Sequence, residues 1–158
     1  MSHCSFPYPR VALLLGLALS VFGLSSGTVA DAQAGGSYSF VSLDVPSATQ
    51  TRPTDINDNG QVTGDYFEGR IRGFVYSNGT FTTLEVPGAT ETIPTGINNR
   101  GQVVGYYSDD VGGHGFVYSN GTFTTLDAPG TNYPYYTHAA SINASGQVTG
   151  YYLDSAGS

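Results

Sequence analysis

The chain repeats itself. Residues 73–107 read GFVYSNGTFTTLEVPGATETIPTGINNRGQVVGYY, and residues 115–152 read GFVYSNGTFTTLDAPGTNYPYYTHAASINASGQVTGYY. A further copy at residues 38–66, YSFVSLDVPSATQTRPTDINDNGQVTGDY, lacks the opening strand. Leu43, Leu84 and Leu126 stand 41 and 42 positions apart, and Ile56, Ile97 and Ile142 stand 41 and 45 apart. The larger gap marks a three-residue insertion between Leu126 and Ile142. A period of roughly 40–50 residues is that of four-stranded sheet repeats, each too small to hide its own apolar faces without a neighbour. The repeat therefore restricts the fold to an array of stacked sheets.

Within a unit, residues 116–119 and 122–127 flank Asn120-Gly121, and Asn78-Gly79 stands at the same place one unit earlier. Asn-Gly accepts the positive φ angles of a type I′ turn and is the strongest short hairpin signal. Pro87 and Pro129 stop the second strand. A short segment at Gly96-Ile97-Asn98 then leads through Arg100-Gly101 into a last strand at residues 102–107. The strands are apolar or aromatic on both faces, as expected of sheets covered on both sides. The expectation is an all-β fold, an incomplete β-propeller-like array of about three four-stranded antiparallel repeats of ~42 residues. Its repeats fall near residues 37–71, 72–113 and 114–158.

His114-Gly115-Phe116, its variant Arg72-Gly73-Phe74, and the closes Ile97-Asn98, Gly101, Val103, Gly105 and Ile142-Asn143, Gly146, Val148, Gly150 recur as a set. This set resembles the HAF family of extracellular repeat proteins, over residues 38–152. The resemblance implies an exported, propeller-like β architecture and no defined chemistry.

The amino terminus agrees with export. One arginine, Arg10, precedes the apolar run VALLLGLALSVFGL at residues 11–24, and small residues lead to Ala32-Gln33-Ala34. That order is a secretory signal peptide, cut after Ala34, with Ala30 the second choice. The domains are then a signal peptide at residues 1–34 and a β-repeat domain at residues 35–158, secreted or held at the cell surface or in the periplasm. The run is shorter than the roughly 20 apolar residues of a spanning helix, so no membrane contact is expected after cleavage. Cys4, the only cysteine, leaves with the leader, which excludes disulfides, zinc thiolates and cysteine nucleophiles from the mature chain. Twelve acidic residues face five arginines, a net charge of -7. So few cations cannot neutralise a phosphate backbone, and nucleic acid is not an expected partner.

Chemistry is sparse. Asp55-Ile56-Asn57-Asp58-Asn59-Gly60 matches the first half of a calcium loop, but position twelve is Tyr66 and Asp65 falls one residue early. An Asn- and Asp-rich β-turn accounts for it better. His114 occupies the landmark filled by Arg72 one unit earlier, which favours a structural role. The sequons at Asn78, Asn120 and Asn143 coincide with turns and landmarks, and are read as such. No nucleophile elbow, zinc helix, phosphate loop or dinucleotide fingerprint appears. No catalytic residue, cofactor site or metal site is expected. The insertion (Asn132-Tyr133-Pro134-Tyr135-Tyr136-Thr137-His138) breaks the repeat, and Tyr133, Tyr135, Tyr136 and His138 are the candidate ligand contacts. Aromatics beside amides and hydroxyls stack on sugar rings or hold peptides, although a longer loop folding its tyrosines onto the neighbouring sheet is the favoured account of them. The functional expectation is an exported, non-catalytic binding or surface-interaction module for a glycan or peptide, with self-association through exposed terminal repeats. The alternative is a fragment of a larger propeller enzyme or lectin-like protein whose site is completed outside this chain.

Overall fold

The structure, a computed structural model, describes residues 12–15, 39–129 and 135–153. No helix occurs among them, so none is long and apolar enough to cross a membrane. Two compact units are present, residues 1–44 and 45–158. In the first, β1 (Ala12–Leu15) pairs antiparallel with β2 (Ser39–Ser42). β1 belongs to the apolar run of the expected leader; the rest of that run and the A-x-A site lie outside the described residues.

In the second unit, β3 (Gln50–Ile56), β4 (Val62–Phe67), β5 (Ile71–Ser77) and β6 (Thr80–Leu84) form a four-stranded antiparallel meander. β7 (Glu91–Ile97), β8 (Val103–Ser108), β9 (Gly112–Ser119) and β10 (Thr122–Leu126) repeat that meander. β11 (Tyr135–Ile142) and β12 (Val148–Tyr152) repeat its first hairpin. Tyr135 and Tyr136 join β11 to β9 by a short parallel pairing with Gly112 and Gly113. Each meander therefore combines the closing half of one sequence unit with the opening half of the next. The all-β, largely antiparallel expectation holds, and the described strands do not close into a ring.

Both Asn-Gly hairpins adopt the expected turn, with φ of 49° and 83° at Asn78-Gly79 and 50° and 83° at Asn120-Gly121. The first strand of each sheet differs from the expected short segment. β7 begins at Glu91 and runs through Pro94. A proline has no N–H to give a ladder, and it is tolerated here because the register shifts between Pro94 and Gly96. The same bulge lies between Pro53 and Asp55 in β3 and between Ala139 and Ser141 in β11. Opposite the bulge stand Gly64, Gly105 and Gly150. A Cβ on Gly105 would collide with the Ile93 carbonyl and come within 2.9 Å of Phe116 Cε1. The glycine of V-x-G is thus a seat for bulged backbone on its near side.

The core forms between sheets. Leu84 joins Val86, Ala89, Ile97, Val103, Tyr107 and Phe116 in one buried cluster, with Val75 packed against it. On the other face of the second meander, Val104 clusters with Ala139 and Ile142. Successive strand residues point to opposite faces, so Val103 and Val104 serve different neighbours. Full burial of a ring such as Phe116 contributes roughly 1.5–3 kcal/mol.

Polar contacts fix the stacking. Asn98 Oδ1 accepts the Arg100 and Gln102 N–H groups at 3.0 and 3.1 Å. Its Nδ2 donates to Gln102 Oε1 at 2.9 Å and, across to the next sheet, to the Asn143 carbonyl at 3.0 Å. Asn57 repeats this pattern and donates to the Asn98 carbonyl at 2.9 Å. Thr54 and Thr95 hydroxyls donate to the Pro94 and Ala139 carbonyls at 3.0 and 2.7 Å. Asn143 makes the same local turn but is exposed. Asn98→Ala removes a buried amide together with its four hydrogen bonds, one of them to the Asn143 carbonyl, and is expected to cost about 2–4 kcal/mol. Asn143→Ala is expected to cost under about 1 kcal/mol. Urea unfolding of both variants measures the difference; equal losses would remove the role assigned to the inter-sheet bond.

Candidate functional site

The repeat places one pair of facing residues at the same register in each sheet. Arg52 faces Asp65, Ile93 faces Tyr106, and His138 faces Tyr151. Backbone geometry is shared while side chains are not, so this row is where the sheets differ chemically. The Arg52 guanidinium holds the buried Asp65 carboxylate at 2.7 Å. Burial pushes the Asp65 carboxyl above its ordinary value, and Arg52 opposes that shift. The His138 ring lies 4.1 Å from that of Tyr106 and 4.7 Å from that of Tyr151, nearly parallel to the latter at 13°. Tyr136, two residues earlier on the same face of β11, is 6.1 Å from Tyr151.

Burial raises the Tyr106 phenol, with the charges of Glu91 and Asp65 adding to it. A hydrogen bond with Tyr151 raises that of Tyr136 first, and burial second. Phenols held protonated act as hydrogen-bond donors and stacking surfaces, not as phenolate nucleophiles. Burial lowers His138 below its ordinary 6.5, partly offset by its own main chain. The imidazole therefore stays neutral near pH 7, and its buried Nδ1 meets no hydrogen-bond partner on another described residue. Tyr136 and Tyr151 are 37% and 51% exposed. Beside them lies an open depression of about 330 Å³ lined by Leu126, His138, Ala139, Val148, Tyr151 and Tyr152.

Of the four residues expected from the sequence, Tyr136 and His138 meet in this cluster. Tyr133 lies outside the described residues, and Tyr135 opens β11 through its backbone pairing with Gly112. Tyr106 and Tyr151 were not expected. Their signal was present: aligning the units sets Asp65, Tyr106 and Tyr151 at one position, where the repeat varies between buried carboxylate and phenol.

The calcium-like segment is a turn. Asp55 Oδ1 accepts the Ile56 N–H at 2.9 Å and Oδ2 the Ile97 N–H at 2.8 Å. Asn59 Nδ2 donates to the Asn99 carbonyl at 2.8 Å, and Asp58 accepts from Asn99 Nδ2 at 2.6 Å. These oxygens and amides join neighbouring sheets, and no group of three or more His, Cys, Asp or Glu placed to hold a metal occurs among the described residues. His114 is buried, with Nδ1 2.8 Å from Asp127 and Nε2 3.4 Å from Asp109. One meander earlier Arg72 sits 3.2 Å from both Glu85 and Glu68. A position filled by arginine or histidine between two carboxylates is a clamp on the strand start.

No family model, curated protein or solved structure matches the chain.

A neutral, half-buried histidine imposes a pH dependence. Because the folded value of His138 lies below 6.5, its contribution to stability is fully present above pH 6.5 and lost as pH falls through the folded value. The native chain is expected to lose melting temperature more steeply than His138→Phe between about pH 7 and 5. Scanning calorimetry across that range checks it, and parallel curves would count against an imidazole held neutral in the fold.

Proposed function

We propose that this chain is an exported, non-catalytic binding module that engages its ligand through the Tyr136–His138–Tyr151 end of the sheet stack. One observation carries the reading: aromatic side chains buried or half-buried at Tyr66, Tyr106 and Tyr107 have exposed counterparts at Tyr151 and Tyr152, with Leu153 beside them. Exposed aromatics grouped around a shallow depression mark interaction surfaces. Their phenol hydroxyls suit the hydroxyls of a glycan or the main chain of a peptide. Nothing in the cluster pairs an activated nucleophile with a base, which favours binding over catalysis.

Two features support a propeller-like array of the HAF type. The four-stranded meanders stack on a line of asparagines, and the I-N-x-x-G-x-V-x-G landmark supplies the turn, the inter-sheet bond and the bulge seat. Export rests on the apolar leader and A-x-A site. Mass spectrometry of the secreted protein is expected to give Gly35 as the first residue.

Glycan and peptide arrays probed with the full chain test the binding reading. Tyr151→Ala is expected to weaken a captured ligand by at least about tenfold while the unfolding midpoint stays near that of the native chain. Ligands that bind equally well to Tyr151→Ala would place the site elsewhere.

A further inference from the structure

β12 has the sequence of a strand that is buried twice elsewhere in the unit. Val148, Thr149, Gly150, Tyr151 and Tyr152 occupy the positions of Val62, Thr63, Gly64, Asp65 and Tyr66 in β4, and of Val103, Val104, Gly105, Tyr106 and Tyr107 in β8. All five β4 residues are buried; all five β12 residues are exposed. The difference is the next strand. β4 is flanked by β5 and β8 by β9, each bringing the sequence Gly-Phe-Val-Tyr-Ser. β12 pairs only with β11 among the described strands.

The two covered strands specify what fits the bare one. Gly64 stands opposite Phe74 and Gly105 opposite Phe116, both rings fully buried. Gly150 offers the same seat. The Thr63 hydroxyl donates to the Phe74 carbonyl at 2.9 Å, and Thr149 retains that hydroxyl. Tyr66 and Tyr107 hydroxyls lie 3.0 Å from Thr83 and Thr125 of the fourth strand, and Tyr107 stacks on His114. Tyr152, in the same position, is 48% exposed against 5% and 8% for those tyrosines. Backbone groups on a free edge bind an added strand, and side-chain pockets select which one.

We infer that the β12 edge is a β-augmentation site for a partner hairpin of the class His/Arg-Gly-Phe-Val-Tyr-Ser-Asn-Gly-Thr-Phe. The incoming strand runs antiparallel to β12, with its Phe opposite Gly150, its Val opposite Thr149, its Tyr opposite Val148 and its His or Arg opposite Tyr152. The fourth strand of the hairpin brings a threonine to the Tyr152 hydroxyl. The inference rests on the proposed binding role of this end of the stack and names the partner class.

The test uses the full chain and a labelled peptide, HGFVYSNGTFTTL, corresponding to residues 114–126. Anisotropy is expected to show saturable binding, and hydrogen exchange to slow at residues 148–152. The peptide carrying Phe116→Ala is expected to bind at least about tenfold more weakly, since the ring over Gly150 is gone. Equal binding of that peptide, no binding at all, or protection confined to other strands would overturn the inference. So would a dimer whose β12 amides are already protected and which the peptide does not compete away, because a second copy then holds the edge. A glycan or unrelated peptide whose binding depends on Tyr151, found alongside an inert hairpin peptide, sinks this partner class and leaves the binding module standing. Failure of every ligand removes both.

Discussion

The bond from an asparagine side chain to the carbonyl of the next asparagine organises the stack. Apolar clusters such as Leu84 with Phe116 hold two sheets together but are indifferent to small rotations and slips between them. The Asn57 and Asn98 amides are not. Each is spent completely, two N–H groups accepted within its own turn and two donors used, one of them across the sheet gap. A buried amide is costly unless all its partners are in place, so the turn, the glutamine four residues on and the neighbouring sheet form one condition. Misplacing any of them strands the others.

Much of the fold was legible because the repeat multiplies weak local signals. A single Asn-Gly suggests a hairpin; two at the same landmark, each followed by T-F-T-T-L, define a strand pair. Pro94 shows where local reading fails. Proline inside an apolar stretch argues against a strand, yet here it occupies a bulge whose carbonyl leans over Gly105. The carbonyl is that of Ile93, twelve positions from Gly105, and the contact is invisible to propensity. The grouping of strands was likewise hidden, since sheets cross the sequence-unit boundaries.

The candidate site was half legible. Attention fell on the insertion because it adds residues, and that led to Tyr136 and His138. Tyr106 and Tyr151 sit inside well-behaved strands and become visible only when equivalent positions are compared across units for chemistry as well as for pattern. The same comparison explains the clamp. Arg72 and His114 differ in charge behaviour and share a position, and the carboxylates around each, Glu68 with Glu85 and Asp109 with Asp127, follow the position more than the residue. Asp109 is held below its ordinary value mainly by the Val111 N–H, so the turn that presents it is tied by its own backbone before His114 contributes.

Strand identity and strand burial are separate properties in an array of this kind. V-T-G-D-Y and V-T-G-Y-Y form equivalent strands with equivalent bulges opposite them, yet one is enclosed and the other open to solvent. Nothing in the five residues sets that difference; the neighbour does. Each unit therefore carries the chemistry of an interior whether or not it is one, and the exposed Val148, Tyr151 and Tyr152 have the composition of a core. Surfaces with that composition favour cover over solvent. The burial that stacks one meander on the next within the chain is what the inferred hairpin would supply at β12.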